Sequence, residues 1–182
     1  MADQETLAVY AKRAGDYATR FGKANENPHL KAFLAEVPGG GRVLDLGCGP
    51  GHAAAAMKNA GYKVDALDAS PELARIAREQ NGVAVRLATF EELDEVELYD
   101  GIYANFSLLH ARKTDMPGHL DRIALALRSN GVFHIGLKRG TGESRDTIGR
   151  FYAYYEMDEL KRLLSDAGAG PGFRGGAPYP KL

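Results

Sequence analysis

Three glycines, Gly47, Gly49 and Gly51, follow an apolar run that carries an acid, Asp45, within VLDLGCGPGH at Val43–His52. Because glycine has no side chain, the backbone of such a loop can turn sharply and approach a ligand closely. A helix that begins directly after the loop offers free backbone N–H groups and the positive end of its dipole. The segment therefore predicts a ligand-binding loop rather than a simple turn between a strand and a helix.

A second acid, Asp68, stands at the end of the next apolar run, KVDALD at Lys63–Asp68. In doubly wound folds, a carboxylate at this place accepts hydrogen bonds from the two ribose hydroxyls of an adenosine, roughly 20 residues beyond the glycine loop. Asp65 is the competing acid, but it lies in mid-strand, where side-chain alternation points it differently. We expect Asp68 to bind a ribose; the alternative is an acid that only complements the dipole of the following helix.

Apolar runs alternate with amphipathic helical runs, and this alternation predicts an α/β protein with a doubly wound sheet. Nearly continuous apolarity is typical of strands buried on both faces, as in a parallel sheet. The predicted strands are Arg42–Leu46, Lys63–Asp68, Val83–Leu87, Gly101–Asn105 and Val132–Leu137. The predicted helices between them are His52–Ala60, Pro71–Gln80 and His119–Arg128.

Further helices are predicted at both ends of the chain. Helical spacing of apolar residues indicates a leading helix over Leu7–Phe21, a second helix covers Pro28–Val37, and a last helix begins near Glu156. The remaining segment, GAGPGFRGGAPYPKL, is rich in Gly and Pro and has no periodicity, so we expect it to be irregular. We divide the chain into a domain at 1–167 and a tail at 168–182.

The composition fits one globular domain: 182 residues, of which 45% are hydrophobic and 26% charged. A formal net charge of -1 gives no global attraction to nucleic acid or to an anionic membrane, and we expect neither as a partner. The amino-terminal segment has acids where a signal peptide needs basic residues, and no run is long enough to cross a membrane. A single cysteine fits a reducing compartment. These features predict a cytoplasmic protein.

The glycine loop, Asp68 and the YDGIYANFSLLH segment at Tyr99–His110 resemble the motifs of class I S-adenosylmethionine-dependent methyltransferases. More narrowly, the run from Tyr10 to Ala167 is similar to small methyltransferases of the tellurite-resistance-like subgroup. The narrower resemblance is carried by SLLH, by Leu137–Gly140 and by GRFYAYYEMDEL at Gly149–Leu160. It implies a Rossmann-like, mostly parallel sheet with strand order 3-2-1-4-5 behind amino-terminal helices.

Relatives usually continue past the last helix into two further strands, which complete the sheet, whereas the tail from Gly168 has no strand-like run. We therefore expect those strands to be missing and Val132–Leu137 to be an exposed edge. Either the fold is truncated and less stable, or a second copy covers that edge. Monomer and homodimer both stay open.

The resemblance also implies residue roles, with S-adenosylmethionine as cofactor and S-adenosylhomocysteine as product. Asp45 lies near the methionine amino group, the loop backbone lines methionine and ribose, and Asp68 binds the ribose hydroxyls. Asn105 and Phe106 lie under the sulfonium, and Tyr10 and Tyr17 close over the cofactor. The implied cofactor site comprises Tyr10, Tyr17, Asp45, Gly47, Cys48, Gly49, Gly51, His52, Asp68, Ala69, Ser70, Thr89, Phe90, Asn105 and Phe106.

The adenine contact departs from the family pattern. Many relatives carry an Asp after the third strand to meet the adenine amino group, but Ala88–Phe90 offers none. Ala69 and Ser70 are expected near the adenine, and Phe90 is expected to pack against the ring. Cys48 is interpreted as a small loop residue rather than a nucleophile.

Methyl transfer is a direct displacement, so the enzyme must chiefly align acceptor, methyl carbon and sulfur. Candidate residues on the acceptor side are Ser107, His110 and Lys138, and the catalytic candidates among them are His110 and Lys138. His110 suits proton transfer at neutral pH; the alternative is a hydrogen-bonded structural histidine. Lys138 and three nearby arginines suit an anionic acceptor; the alternative is a solvated loop. Inorganic and thiol acceptors stay open.

Two other function classes compete with a methyltransferase that acts on a small molecule. One is a protein that binds S-adenosylmethionine without turnover. The other is an NAD-dependent oxidoreductase, which the loop disfavours because it closes one residue earlier than G-x-G-x-x-G. No metal is expected, because the histidines have no metal-ligand spacing with each other or with the cysteine.

Overall fold

A computed structural model describes residues 3–20 and 27–168, with only the backbone at 17–20. The predicted tail lies outside these residues, apart from its first position. The helices are α1 (Gln4–Arg20), α2 (Pro28–Glu36), α3 (His52–Asn59), α4 (Pro71–Asn81), α5 (Met116–Ala126) and α6 (Met157–Asp166). The strands are β1 (Arg42–Leu46), β2 (Lys63–Asp68), β3 (Arg86–Leu87), β4 (Tyr99–Asn105), β5 (Leu127–Gly136), β6 (Lys138–Arg139), β7 (Glu143–Arg145) and β8 (Phe151–Tyr155). None of the described helices is both long and apolar enough to cross a membrane.

The main sheet has the order β3-β2-β1-β4-β5, and every pairing in it is parallel. Val43, Leu44 and Leu46 of the central strand β1 are at most 1% exposed, because helices cover both faces of the sheet. The Rossmann-like fold and the strand order are confirmed. In the described part of the chain, β5 lies at one edge of this sheet, as predicted.

Local signals fix the helix that follows β2. The Ser70 hydroxyl accepts a hydrogen bond from the Leu73 backbone N–H at 3.3 Å, and Pro71 occupies the first turn, where no N–H partner is needed. Gly82 ends the helix in the left-handed conformation, with φ of 63°. The helix α4 therefore begins at the predicted Pro71 and ends one residue beyond the predicted Gln80.

Several element bounds were predicted wrongly; the strand predicted to begin at Val132, for example, begins at Leu127. Of the predicted strand Val83–Leu87, only Arg86–Leu87 pairs with β2, because this edge has a single neighbour and Val83 packs instead among the alanines of α3 and α4. The helix predicted at His119–Arg128 begins at Met116 and ends at Ala126. The segment before β4 forms backbone hydrogen bonds with the last turn of α5. The strand β5 therefore begins directly after that helix, at Leu127.

A second, three-stranded sheet was not predicted. It has the order β6-β8-β7, with β8 parallel to β6 and antiparallel to β7. The aromatic segment FYAYY forms β8, in which Phe151, Tyr152 and Tyr155 are buried. The turns between these strands contain glycines at positive φ. The strands themselves are too short for a periodic pattern to show in the sequence.

Candidate active site

An open cavity lies where β1, β2 and β4 end. Residues that follow these strands line one side, among them Gly47, Asp68 and Phe106, and the first turns of α1 line the other. This is the point at which the strand order reverses, where doubly wound sheets bind their ligands.

The glycine loop is tied to β2 by backbone hydrogen bonds. The N–H groups of Gly47 and Cys48 both donate to the Leu67 carbonyl oxygen, at 2.8 and 3.0 Å. Gly47 has a φ of 74°, and a Cβ atom there would lie 2.3 Å from the Ser107 Cβ. Position 47 therefore requires glycine for two reasons, its backbone conformation and the close approach of the β4 loop.

Asp68 is 9% exposed, lines the cavity and is held by two backbone donors. Its Oδ2 accepts a hydrogen bond from the Gly49 N–H at 2.7 Å, and its Oδ1 accepts one from the Ser70 N–H at 2.8 Å. Burial raises the pKa of this carboxyl, while the two N–H groups oppose that rise. Each carboxylate oxygen keeps acceptor capacity, so the position suits a pair of ribose hydroxyls.

Asp45 lies behind the loop and does not line the cavity. It is 3% exposed, and its Oδ2 is buried without a hydrogen-bond partner among the described residues. Burial raises the pKa of this carboxyl to about 7, the backbone N–H of Ala54 lowers it, and nearby Asp68 raises it. A buried oxygen of this kind fits a cationic ligand group, such as the ammonium of methionine.

His110 and Tyr10 both line the cavity and meet there, although they are 100 residues apart in sequence. The Tyr10 hydroxyl lies 2.7 Å from His110 Nε2, and His110 Nδ1 lies 2.6 Å from the Phe151 carbonyl oxygen. Burial lowers the pKa of His110 to about 4, and nearby Arg150 and Lys138 lower it further, against the effect of the Phe151 carbonyl. His110 is therefore neutral at pH 7.

Several predicted residues lie elsewhere. The residues of the predicted site that do not line the cavity are Asp45, Cys48, Gly51, His52, Ser70, Asn105 and Lys138. Asn105 Oδ1 faces His134 Nε2 at 3.2 Å, and Lys138 Nζ lies 3.6 Å from the centre of the Tyr152 ring. The side chain of Tyr17 lies outside the described residues.

Eight members of the predicted cofactor site do line the cavity: Tyr10, Gly47, Gly49, Asp68, Ala69, Thr89, Phe90 and Phe106. Phe106 has a φ of 57°, a conformation that β4 imposes as it ends. Ser107 also lines the cavity, but its hydroxyl donates to the Leu46 carbonyl oxygen at 2.6 Å. The Ser107 hydroxyl proton is therefore engaged in a hydrogen bond to the backbone of β1.

Glu91 and His119 line the cavity and were not predicted. Glu91 is one residue beyond Phe90, so a carboxylate does stand near the place where the sequence pattern offered none. His119 Nε2 lies 3.9 Å from Glu91 Oε1, and the His119 ring contacts Phe90 edge to face at 5.6 Å. The capping pattern from Thr89 to Glu92 marks a turn here, and that turn directs Glu91 to the cavity.

Known proteins resemble this chain over most of its length. A family model described as "Methyltransferase domain" matches residues 17–169. An uncharacterized methyltransferase of Staphylococcus carnosus is 26% identical over 169 residues, which cover 89% of this chain and 81% of that protein.

Solved structures share the fold. The Burkholderia thailandensis 1,6-didemethyltoxoflavin-N1-methyltransferase, with bound 1,6-didemethyltoxoflavin and S-adenosylhomocysteine, is 26% identical with a TM-score of 0.74; the match covers 90% of this chain and 76% of that chain. A TehB-like SAM-dependent methyltransferase from Corynebacterium glutamicum is 18% identical with a TM-score of 0.65, over 86% of this chain and 83% of that chain. At that identity the second likeness concerns the fold alone.

Proposed function

The chain belongs to the methyltransferase domain family, and we propose from that premise that it transfers the methyl group of S-adenosylmethionine to a small-molecule acceptor by direct displacement. The observation that carries the proposal is the cavity at the carboxyl ends of β1, β2 and β4, which the glycine loop and Asp68 line together.

The residues around the cavity fit this cofactor. Asp68 is placed to accept hydrogen bonds from the ribose hydroxyls, and the buried Oδ2 of Asp45 would gain a partner in the methionine ammonium. Phe90 offers an aromatic face to the adenine, and Glu91 offers a carboxylate for the adenine amino group. The glycines at 47, 49 and 51 have no side chain, so the loop backbone can approach the methionine closely.

Bound S-adenosylmethionine supplies an electrophilic methyl group on a sulfonium. The protein contributes alignment of the acceptor with that methyl group and exclusion of water, which together account for most of the rate. α1 covers the cavity through Thr6 and Tyr10, while Phe106 lines the wall that the end of β4 forms. A strong general base is not required, which agrees with a neutral His110.

A small acceptor is supported by the similar Burkholderia enzyme, whose structure has 1,6-didemethyltoxoflavin bound. We further propose that the protein is cytoplasmic, acts as a monomer or homodimer, and needs neither nucleic acid nor a membrane as partner. Membership of the tellurite-resistance-like subgroup is part of the same proposal. The TehB-like structure supports it only at the level of the fold.

Release of S-adenosylhomocysteine from S-adenosylmethionine, measured over a panel of small amines, phenols, thiols and N-heterocycles, tests the proposal. Turnover that requires one of these acceptors and is lost in Asp68→Ala is the expected result. Tight binding of S-adenosylmethionine without turnover of any panel member would favour a binding protein. No binding by the folded protein would refute the proposed function.

A further inference from the structure

We infer that Arg145 is a positioning residue that holds the first part of α1 across the cavity, and that release of this hold lets that part turn about Arg13 and sets the rate of cofactor exchange. This inference deepens the proposed function and rests on it. Three features carry it: the wall that α1 contributes to the cavity, the break in α1 at Arg13, and the ion pairs that hold the segment before the break.

The segment before Arg13, residues 3–12, forms one wall of the cavity. Asp3, Thr6, Leu7 and Tyr10 all line it. The glycine loop and Asp68, which the proposed function assigns to the cofactor, line the cavity from the ends of the strands. A cofactor bound between these two walls is covered in part by the segment 3–12. Movement of that segment therefore widens the path between the site and solvent.

The helix α1 is interrupted at Arg13. The backbone there has φ of -116° and ψ of 15°, outside the helical region, so the helix bends. The next residue, Ala14, is 6% exposed and packs with Leu73 and Ile76 of α4. Before the break, Tyr10 is only partly buried against the same cluster. The part after the break is thus anchored on α4, and the break can serve as a hinge for the segment 3–12.

The far end of the segment 3–12 is held by Arg145 of β7. The guanidinium of Arg145 donates to both carboxylate oxygens of Asp3, at 3.0 and 2.8 Å, and lies 3.2 Å from a carboxylate oxygen of Glu5. It also donates to the Gly149 carbonyl oxygen at 2.7 Å. Two-pronged pairing of this kind is among the strongest that an arginine makes. We call the contacts of Arg145 with Asp3 and Glu5 the latch.

The latch is charged and lies at the protein surface. The hydrogen bond from Arg145 holds the pKa of Asp3 well below its usual range, although burial opposes this effect. Asp3 is therefore an anion throughout the neutral range. The side chains of Arg145 and Asp3 are 37% and 17% exposed, so water and salt reach the pair. An ion pair in this position is strong enough to bias a local equilibrium and weak enough to open.

Two contacts nearer to the hinge hold the same segment. The Thr6 Oγ1 atom accepts a hydrogen bond from the Phe151 N–H at 2.8 Å, and the Tyr10 hydroxyl lies 2.7 Å from His110 Nε2. Each of these contacts, like the latch, joins two groups of the protein. The latch is therefore expected to act on the free and on the loaded protein alike. Its loss should raise the rates of cofactor entry and exit by the same factor.

Surface plasmon resonance with immobilised protein tests this by measuring the association and dissociation rate constants of S-adenosylhomocysteine. In Arg145→Ala both constants are expected to rise about three- to tenfold, while the Kd changes by less than about twofold. Asp3→Asn keeps an acceptor for the Thr6 N–H, which Asp3 Oδ1 binds at 2.9 Å, but it loses the charge. It should raise both constants in the same way.

Two comparisons assign the effect to the charged latch. High salt should raise both rate constants of the wild type and leave those of Arg145→Ala unchanged, because salt screens exposed ion pairs. Arg145→Lys keeps the charge but not the two-pronged geometry, so its rate constants should lie between those of the wild type and Arg145→Ala.

Arg128→Ala is the matched control. Arg128 is 48% exposed, donates to both carboxylate oxygens of Asp100 at 3.0 and 3.1 Å, and also donates to the Glu97 carbonyl oxygen at 3.2 Å. It thus repeats the contacts of Arg145 at the amino ends of β4 and β5, at the opposite end of the sheet from the cavity. Both rate constants should keep their wild-type values in this variant.

The outcomes separate this inference from the proposed function. Failure of S-adenosylhomocysteine to bind the folded wild type refutes the proposed function and the inference with it. If it binds, then wild-type rate constants in folded Arg145→Ala, or an equal rise in Arg128→Ala, overturn the inference alone. Faster dissociation without faster association would show that Arg145 supports only the bound state, and this result also overturns the latch.

Discussion

Replacement of Asp45 by asparagine is expected to stabilise the free protein at pH 8 and to weaken cofactor binding. Asp45 is 3% exposed and its Oδ2 has no hydrogen-bond partner among the described residues, so its negative charge is poorly compensated. Burial raises its pKa from 3.8 to about 7. Between these values the folded state keeps a proton that the unfolded state has lost, so the free energy of unfolding falls as pH rises.

The magnitude follows from the pKa. At about 1.36 kcal/mol per pKa unit, this pKa shift lowers the free energy of unfolding by about 4 kcal/mol at pH 8 and by about 2 kcal/mol at pH 5. The Asp45→Asn variant avoids this cost, although its buried amide N–H lacks a partner and offsets about 1–3 kcal/mol. We therefore expect a net gain of about 1–3 kcal/mol at pH 8, and a value about 2–3 kcal/mol lower at pH 5.

Urea unfolding of wild type and Asp45→Asn at pH 5 and pH 8 measures this difference. Asp65→Asn is the control, because Asp65 is a partly exposed carboxylate paired with Arg42 at 2.7 Å, and its loss should change stability by about 1 kcal/mol or less. Binding of S-adenosylhomocysteine to Asp45→Asn should weaken about tenfold or more. A variant that is less stable than wild type at pH 8, or equally affected at both pH values, would refute the reasoning.

Three further predictions concern the loop, α1 and a buried histidine. Gly47→Ala should lower the free energy of unfolding by about 2–5 kcal/mol, because the Cβ meets Ser107 at a φ of 74°; Gly61→Ala, with open space at a φ of 91°, should cost only about 1–2 kcal/mol in the same chemical denaturation. Thr6→Val should cost about 1–3 kcal/mol by calorimetric melting, because it leaves the buried Phe151 N–H without its acceptor, and an unchanged melt would contradict this. Burial and nearby His29 lower the pKa of His134 to about 4. Below pH 6.5 the unfolded chain protonates this histidine while the folded protein does not, so the free energy of unfolding falls as pH falls from 6.5 towards 4. His134→Phe should therefore lose less stability than wild type between pH 7 and pH 4.5, by up to about 3 kcal/mol, and equal losses would exclude this role.

The parts of the fold that depend on neighbouring residues could be predicted from local sequence. Both strands beside the glycine loop, Arg42–Leu46 and Lys63–Asp68, have the predicted bounds, because each is an apolar run ended by turn residues. The end of the helix after Asp68 follows from its caps. The length of the edge strand at Arg86–Leu87 was overestimated, because pairing at an edge depends on one neighbouring strand only.

The part of the cavity that holds Tyr10 and His110 is built from residues that are distant in sequence. No local pattern indicates that these residues meet. Tyr10 and His110 meet only because β8 supplies the Phe151 carbonyl oxygen between α1 and the main sheet. The sequence proposed Tyr10 for the cofactor site and His110 for catalysis, and both line the cavity, but it did not indicate their contact. Lys138, proposed as a catalytic candidate, does not line the cavity, and its ammonium lies over the Tyr152 ring.

Calorimetric titration of S-adenosylhomocysteine into wild type, Asp68→Ala and Asp65→Ala tests the central claim, that the cavity at the ends of β1 and β2 binds this cofactor. Loss of the ribose hydrogen bonds should weaken binding to Asp68→Ala by about 1–3 kcal/mol, or roughly 5- to 150-fold in Kd, while Asp65→Ala binds like wild type. Thermal melts of the same samples establish that each variant is folded. Folded wild type that does not bind, or folded Asp68→Ala that binds as tightly as wild type, would contradict the account.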